Sequence, residues 1–198
     1  MVEKKILSKV VMLGDMGVGK TTLLNKFLGE KSSGKATVGQ DFRKKDLKIG
    51  NAMVTLQVWD PAGQEKFQAL GFAFYRGSNA CLLAFDVSNK ASFDKLDEWK
   101  KNFLEHASPA EPSKFPFILV GNKTDLARVV SEKDARDWCA KNGGCAYFET
   151  CATTGDGVEQ AFGKCAELTA KSDESDAFGM PTSLGGATGA MKLDQASS

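Results

Sequence analysis

The sequence lacks the marks of a disulfide scaffold, a zinc framework or a membrane span. It holds one histidine, His106, and five scattered cysteines, Cys81, Cys139, Cys145, Cys151 and Cys165, with no C-x-x-C pair. That usage fits reduced thiols in a cytosolic protein. Charge of neither sign prevails: the net charge is +1, which gives no ground for nucleic acid or an acidic substrate as partner. No apolar run approaches the ~20 residues of a membrane helix. The N-terminal stretch MVEKKILSKVVMLGD is too short and too interrupted, by Ser8 and Lys9, for a signal peptide. No internal repeat is evident. His106 is expected past a helix end, at the surface, without a catalytic role.

What remains is an ordinary globular composition in 198 residues, enough for one domain with a substantial core. Apolar runs alternate with helical patterns. Strands are expected at Ile6–Leu13, Phe42–Ile49, Met53–Trp59, Ala80–Asp86, Phe115–Gly121 and Cys145–Glu149. Helices are expected at Lys20–Leu28, Phe67–Tyr75, Ala91–Glu105, Ser131–Asn142 and Gly157–Ala170. Gly50-Asn51 signals a hairpin, so the second and third strands should be antiparallel. CLLAFDV and FPFILVG lack alternation, as central parallel strands do. The pattern predicts a three-layer α/β domain, with ligands at the carboxyl ends of the strands. After Lys171 the chain turns to Gly, Ser and acidic residues, so the domain is expected over 1–172 and a flexible tail over 173–198.

The first strand runs into GDMGVGKTT, Gly14 to Thr22, which fits G-x-x-x-x-G-K-[ST] through Gly14, Gly19, Lys20 and Thr21. A loop that wraps a phosphate chain must present several backbone N–H groups, and glycine permits the dihedrals and the close approach. Asp15, Gly17, Val18 and Thr22 complete that cradle. The loop enters a helix whose N-terminus favours anions. Lys20 can reach the β- and γ-phosphates, and the Thr21 hydroxyl can ligate Mg²⁺. This alone specifies a nucleoside triphosphate, not its base.

Two further motifs narrow the reading. WDPAGQE ends the third strand: Asp60 can hold magnesium through water, the Gly63 N–H can face a γ-phosphate, and Gln64 can orient an attacking water. GNKTDL follows the fifth strand. Asn122 and Asp125 offer hydrogen bonds to a purine edge, and a carboxylate accepts from both N1–H and the 2-amino group of guanine, which adenine cannot match. Lys123 can lay its stem along the base. The nucleotide is therefore expected to be GTP or GDP.

With these motifs in place, the chain resembles the Ras-like small GTPases, and within them the late-endosomal branch of the Rab family, over roughly residues 6–171. The resemblance rests on GDMGVGKT, WDPAGQEKFQALGFAFYRG, FDVSNKASFDKLDEW, HASPAEPSKFPFILVGNKTDL and YFETCATTGDGVEQAF. It implies the P-loop GTPase fold, a six-stranded, mostly parallel sheet with about five helices. It also implies a monomeric switch in vesicle traffic, ordered by GTP and Mg²⁺ and released by hydrolysis. Thr37 would join Thr21 and Asp60 around the metal. Gln64 and Lys20 would be the catalytic residues. Cys151, Ala152 and Thr153 would line the base. Phe42, Trp59 and Phe74 match the family's aromatic effector triad, and core packing is an equal reading for them. Effectors, an exchange factor and a GTPase-activating protein would be the partners, on the cytosolic face of endosomal or vacuolar membranes.

The chain departs from that family in several places. Met16 occupies a position that is small in relatives, beside the γ-phosphate, where an activator's arginine must pack; slow hydrolysis is expected. Pro61 replaces threonine in D-T-A-G, fixing φ and removing an N–H in the second switch. From Lys20 to Thr37 is 17 positions, two fewer than is usual, and GEKSSGK lacks the aromatic that normally packs on guanine. ETCATT replaces E-T-S-A-K, so Thr153 removes an aliphatic buttress from the base. Family members usually end in prenylated cysteines, whereas the last cysteine here is Cys165. Either the chain is shortened or it is not prenylated, and membrane attachment is implied by resemblance alone. Two alternatives compete: a nucleotide-binding scaffold of the same fold that barely hydrolyses, and a phosphate-transferring kinase, which shares only the glycine loop.

Overall fold

The computed structural model describes residues 4–30, 41–60 and 74–178. Thr37, Pro61, Gly63 and Gln64 lie outside the described residues, as does all but the end of the helix expected at Phe67–Tyr75. In chain order the elements are β1 (Lys4–Leu13), α1 (Lys20–Leu28), β2 (Asp41–Ile49), β3 (Ala52–Asp60), β4 (Ala80–Asp86), α2 (Lys90–Asp94), α3 (Leu96–Ala107), β5 (Phe117–Asn122), α4 (Glu132–Lys141), β6 (Ala146–Glu149) and α5 (Val158–Phe178). A 3-10 turn, Pro112–Lys114, leads into β5.

The strands form one sheet in the order β2-β3-β1-β4-β5-β6. Only β2 runs antiparallel to its neighbour. Ile49 pairs with Ala52 in that hairpin, so Gly50 and Asn51 form a two-residue turn, as their sequence predicts. The expected α/β class, with six mostly parallel strands and about five helices, is thus what the chain adopts.

The absence of alternation in β4 and β5 has a direct cause: both faces are covered, as they are for the second half of β1. Val10 and Met12 of β1, with Ala80, Leu82 and Ala84 of β4, pack against α1 and α5 residues such as Phe27 and Phe162. Val11 and Leu13, with Cys81, Leu83 and Phe85, pack on the other side with Leu96, Phe103 and Trp138 of α3 and α4. Phe27 and Phe162 stack with ring centroids 4.1 Å apart, fixing α1 on α5 beneath the sheet. Burying such a phenylalanine contributes about 1.5–3 kcal/mol.

Most boundaries fall within one or two residues of expectation, and three differences matter here. The helix predicted at Ala91–Glu105 is two helices, broken at Lys95 (φ −85°, ψ −3°). His106 therefore lies in the last turn of α3, half-buried, with Nδ1 2.7 Å from Asn102 O. Strand β5 begins at Phe117, not Phe115, because Pro116 has no N–H for a ladder. The last helix, expected to end at Ala170, continues to Phe178. No helix among the described residues is long and apolar enough to cross a membrane.

Candidate functional site

The carboxyl ends of β1, β3, β4 and β5 converge on one edge of the sheet. Leu13 pairs with Leu83, and Asp86 with Asn122, so the segments leaving these strands emerge side by side.

Gly14 leaves β1 at φ 143°, and a Cβ there would lie 2.1 Å from Ala84 O, inside the backbone of β4. Gly19 caps α1 at φ 101°, and its Cβ would lie 2.4 Å from Asn122 Nδ2. Only glycine fits both places. No side chain caps α1, and its first turn holds no acid. Its leading N–H groups therefore face the loop, suited to an anion. Lys20 is buried, and its Nζ donates to Gly14 O at 2.7 Å and Asp15 O at 2.9 Å. The ammonium thus sits inside the ring made by residues 14–19. Asp15 points outward: its carboxylate accepts from Lys95 Nζ at 2.7 Å and from the Met16 N–H at 3.0 Å. Burial raises the Asp15 carboxyl, but these bonds outweigh it and hold it below its ordinary range. Met16 stands at the loop's tip with 76% of its surface exposed.

The Thr21 hydroxyl donates to Asp60 Oδ2 at 2.6 Å, joining the start of α1 to the end of β3. Asp60 is 2% exposed. A hydroxyl and a carboxylate oxygen at the mouth of a phosphate loop are hard donors of the kind Mg²⁺ takes, so the pair fits that ion. Thr37, the third expected ligand, lies outside the described residues.

Asn122 is buried, and its amide joins three segments. Nδ2 donates to Val18 O at 2.8 Å, while Oδ1 accepts from Thr150 Oγ1 at 3.0 Å and from the Ala152 N–H at 3.2 Å. All three partners belong to the protein. Asn122 thereby ties the phosphate loop to the 150–153 loop. Asp125 is exposed, and its Oδ1 accepts from Cys151 Sγ at 3.2 Å. Burial raises the Cys151 thiol, but hydrogen bonds from Thr153 and Thr154 bring it below its usual value. Thr153 is exposed, and its carbonyl accepts from Lys26 Nζ at 3.3 Å. Lys123 adopts φ 65° and turns its ammonium to Asp86 Oδ2 at 2.7 Å. Burial raises Asp86, and the stronger pull of Lys123 and Ser88 sets it below the ordinary carboxylate range.

The structure brings Gly14, Lys20, Thr21, Asp60, Asn122, Lys123, Asp125, Cys151, Ala152 and Thr153 to one edge. Three supporting residues escaped sequence reasoning: Asp86, Thr150 and Lys95. Asp86 ends the apolar run CLLAFD, and a charge closing a buried strand was the available signal. Thr150 is the first threonine of ETCATT, so that motif was its signal, whereas Lys95 carries none. Away from the nucleotide loops, Phe42 stacks on Trp59 at 4.7 Å and Trp59 meets Phe74 at 5.4 Å. Phe42 is 43% exposed, so the cluster is a surface feature and not core alone.

Residues 9–171 match the Ras family. The chain is similar to Ras-related protein RABG3f of Arabidopsis thaliana, 47% identical over 187 residues, with 91% of each chain covered. It is also 47% identical over 187 residues to Ras-related protein Rab7 of Pisum sativum, again with 91% of each covered. Rab7 of Vigna aconitifolia is 53% identical over 165 residues, 80% of each chain.

Proposed function

Since the chain belongs to the Ras family and is a Rab-type small GTPase, a GTP/GDP switch of endosomal traffic, we propose how its own residues carry that switch. Effectors, exchange factors and GTPase-activating proteins are the kinds of partner such a switch has. The observation that carries the reading is the convergence of Lys20, the Thr21–Asp60 pair and the Asn122-centred network on one sheet edge.

The loop from Gly14 to Gly19, with the leading N–H groups of α1, wraps the phosphates, assisted by Asp15, Gly17, Val18 and Thr22. Lys20 places its charge against the β- and γ-phosphate oxygens, where negative charge shifts during hydrolysis. Thr21, Thr37 and Asp60 would hold Mg²⁺, which would supply positive charge against the phosphates. Gln64 orients the water, and the Gly63 N–H faces the γ-phosphate. Asp125 selects guanine through N1–H and the 2-amino group. Asn122 acts by positioning, holding Val18 and Ala152 in one frame, with Lys123 along the base and Cys151 and Thr153 at its rim.

Met16 and Pro61 set a slow rate. An exposed methionine at the tip of the phosphate loop occupies the approach of an activator's arginine. Phe42, Trp59 and Phe74 form the effector surface, on a monomer that works at the cytosolic face of endosomal or vacuolar membranes.

Purification in Mg²⁺, denaturation and chromatography of the released nucleotide tests this reading. Guanine nucleotide at one per chain is expected. Mostly GDP would mean working hydrolysis, and mostly GTP a switch held on. A chain that carries adenine nucleotide, or that binds none when GDP is supplied, would overturn it.

A further inference from the structure

Two of the five cysteines, six positions apart, meet in space. Cys139 lies in α4 and Cys145 immediately precedes β6, and their Sγ atoms are 2.8 Å apart. The reversal between them is made by Gly143 and Gly144, at φ 88° and 71°, with the Gly144 N–H donating to Cys139 O at 2.9 Å. A disulfide needs S–S ≈ 2.05 Å, so closure asks for a movement of about 0.8 Å. The two sulfurs differ in access. Cys139 is 4% exposed, whereas Cys145 opens onto a cleft of about 480 Å³. Four lysines line that cleft, Lys100, Lys114, Lys164 and Lys171, two of them paired at its rim with Glu111 and Glu167, and among the described residues no acidic side chain lines it. The other thiols differ in kind: Cys81 and Cys165 are wholly buried, and Cys151 belongs to the nucleotide site.

We propose that Cys139 and Cys145 are a thiol–disulfide switch, closed by exchange with an anionic low-molecular-weight disulfide of the glutathione class that the lysine-lined cleft receives. Cys145 attacks first. Its thiolate bonds to one sulfur of the incoming disulfide, whose S–S bond breaks, and one thiolate leaves and takes up a proton. Cys139 then loses its proton to solvent and attacks Cys145 Sγ, expelling the second thiolate. Two protein thiols are oxidised to one disulfide and one small disulfide is reduced to two thiols. The assignment of roles follows from access. It also agrees with acidity: the sulfur–sulfur hydrogen bond and the nearby Lys100 lower the Cys145 thiol, while that same bond and burial raise Cys139. Closure would tie the end of α4 to the start of β6, whose far end carries Glu149 and then Thr150 of the base-side network. The inference does not depend on the nucleotide chemistry.

The test is equilibration of the full chain in glutathione buffers of increasing disulfide content, followed by acid quench, alkylation and peptide mapping by mass. A Cys139–Cys145 cross-link, reversed by dithiothreitol, is expected in the native chain. Cys139→Ser should stop at one glutathionyl adduct on Cys145, and Cys145→Ser should give neither product. The rate advantage of glutathione disulfide over the uncharged hydroxyethyl disulfide should fall several-fold in a Lys164→Glu/Lys171→Glu variant. A persistent adduct on Cys145 without closure in the native chain would overturn the switch, as would two unreacted thiols when the unfolded chain reacts. An unchanged preference in the charge variant would overturn the docking of an anionic disulfide in the cleft.

Discussion

Replacing Asn122 by alanine separates positioning from base recognition. The side chain makes three hydrogen bonds, to Val18 O, from Thr150 Oγ1 and from the Ala152 N–H, at 2.8, 3.0 and 3.2 Å. Asn122 and Thr150 are essentially inaccessible, so water cannot substitute for the lost partner. At about 1 kcal/mol net for each bond, the substitution costs ~3 kcal/mol, and stranded buried donors push the figure up. For a domain of this size that lowers the melting temperature by roughly 6–12 °C. The same ~3 kcal/mol bounds the loss of GDP affinity at ~150-fold. Fluorescent-GDP titration, with unfolding followed at a fixed nucleotide concentration, measures both. The decisive quantity is the ratio of affinities for GDP and IDP. If Asn122 holds the loops together, stability and both affinities fall while the ratio stays. A variant of normal stability that loses discrimination between the bases would refute the positioning role.

Met16→Gly should clear the approach to the γ-phosphate and raise activator-stimulated hydrolysis towards the ~10³–10⁵-fold that an arginine finger contributes; an unchanged stimulated rate, read by phosphate release, would exonerate Met16. GDP dissociation should be faster than in ordinary relatives, ~10-fold for each 1.4 kcal/mol of missing base contact, and Thr153→Lys should slow it; stopped-flow displacement of labelled GDP decides. Because the Asp86 carboxyl is depressed in the fold, its contribution to stability is present above pH ~4 and is lost as pH falls below it. Asp86→Asn should therefore lower stability at pH 7 and flatten the acid limb of the unfolding curve.

Much of this molecule was legible because its motifs are local. A glycine loop between a strand and a helix, an N-K-x-D after a buried strand and a Gly-Asn hairpin each state their geometry within a few residues. The sheet's class followed from runs such as CLLAFDV, whose faces are both covered. What was hidden is what depends on distant partners. Nothing local shows that the Asn122 amide reaches Val18, 104 positions away. The break at Lys95 falls within an otherwise continuous helical pattern. The extension of α5 to Phe178 overrode a shift to polar residues, since no glycine or proline stands between Lys164 and Phe178 to end a helix. The sulfur pair is of the same kind: six positions of spacing do not show that two glycines fold the chain back on itself.

The hairpin of β2 and β3 carries a mechanical consequence. Asp41 and Asp60 are cross-strand partners, so segments 31–40 and 61–73 are covalently mounted on one rung of one ladder. The hairpin itself is bolted down: Arg43 bonds Asn25 and Glu30, and Lys45 bonds Glu159 and lies over the Phe27 ring at 4.1 Å. Both segments are therefore anchored at the same end of one hairpin, whose β3 strand is itself paired along its length with β1. The stacked rings of Phe42 and Trp59 stand one rung inward. A partner resting on those rings would lie beside the anchor points of both segments.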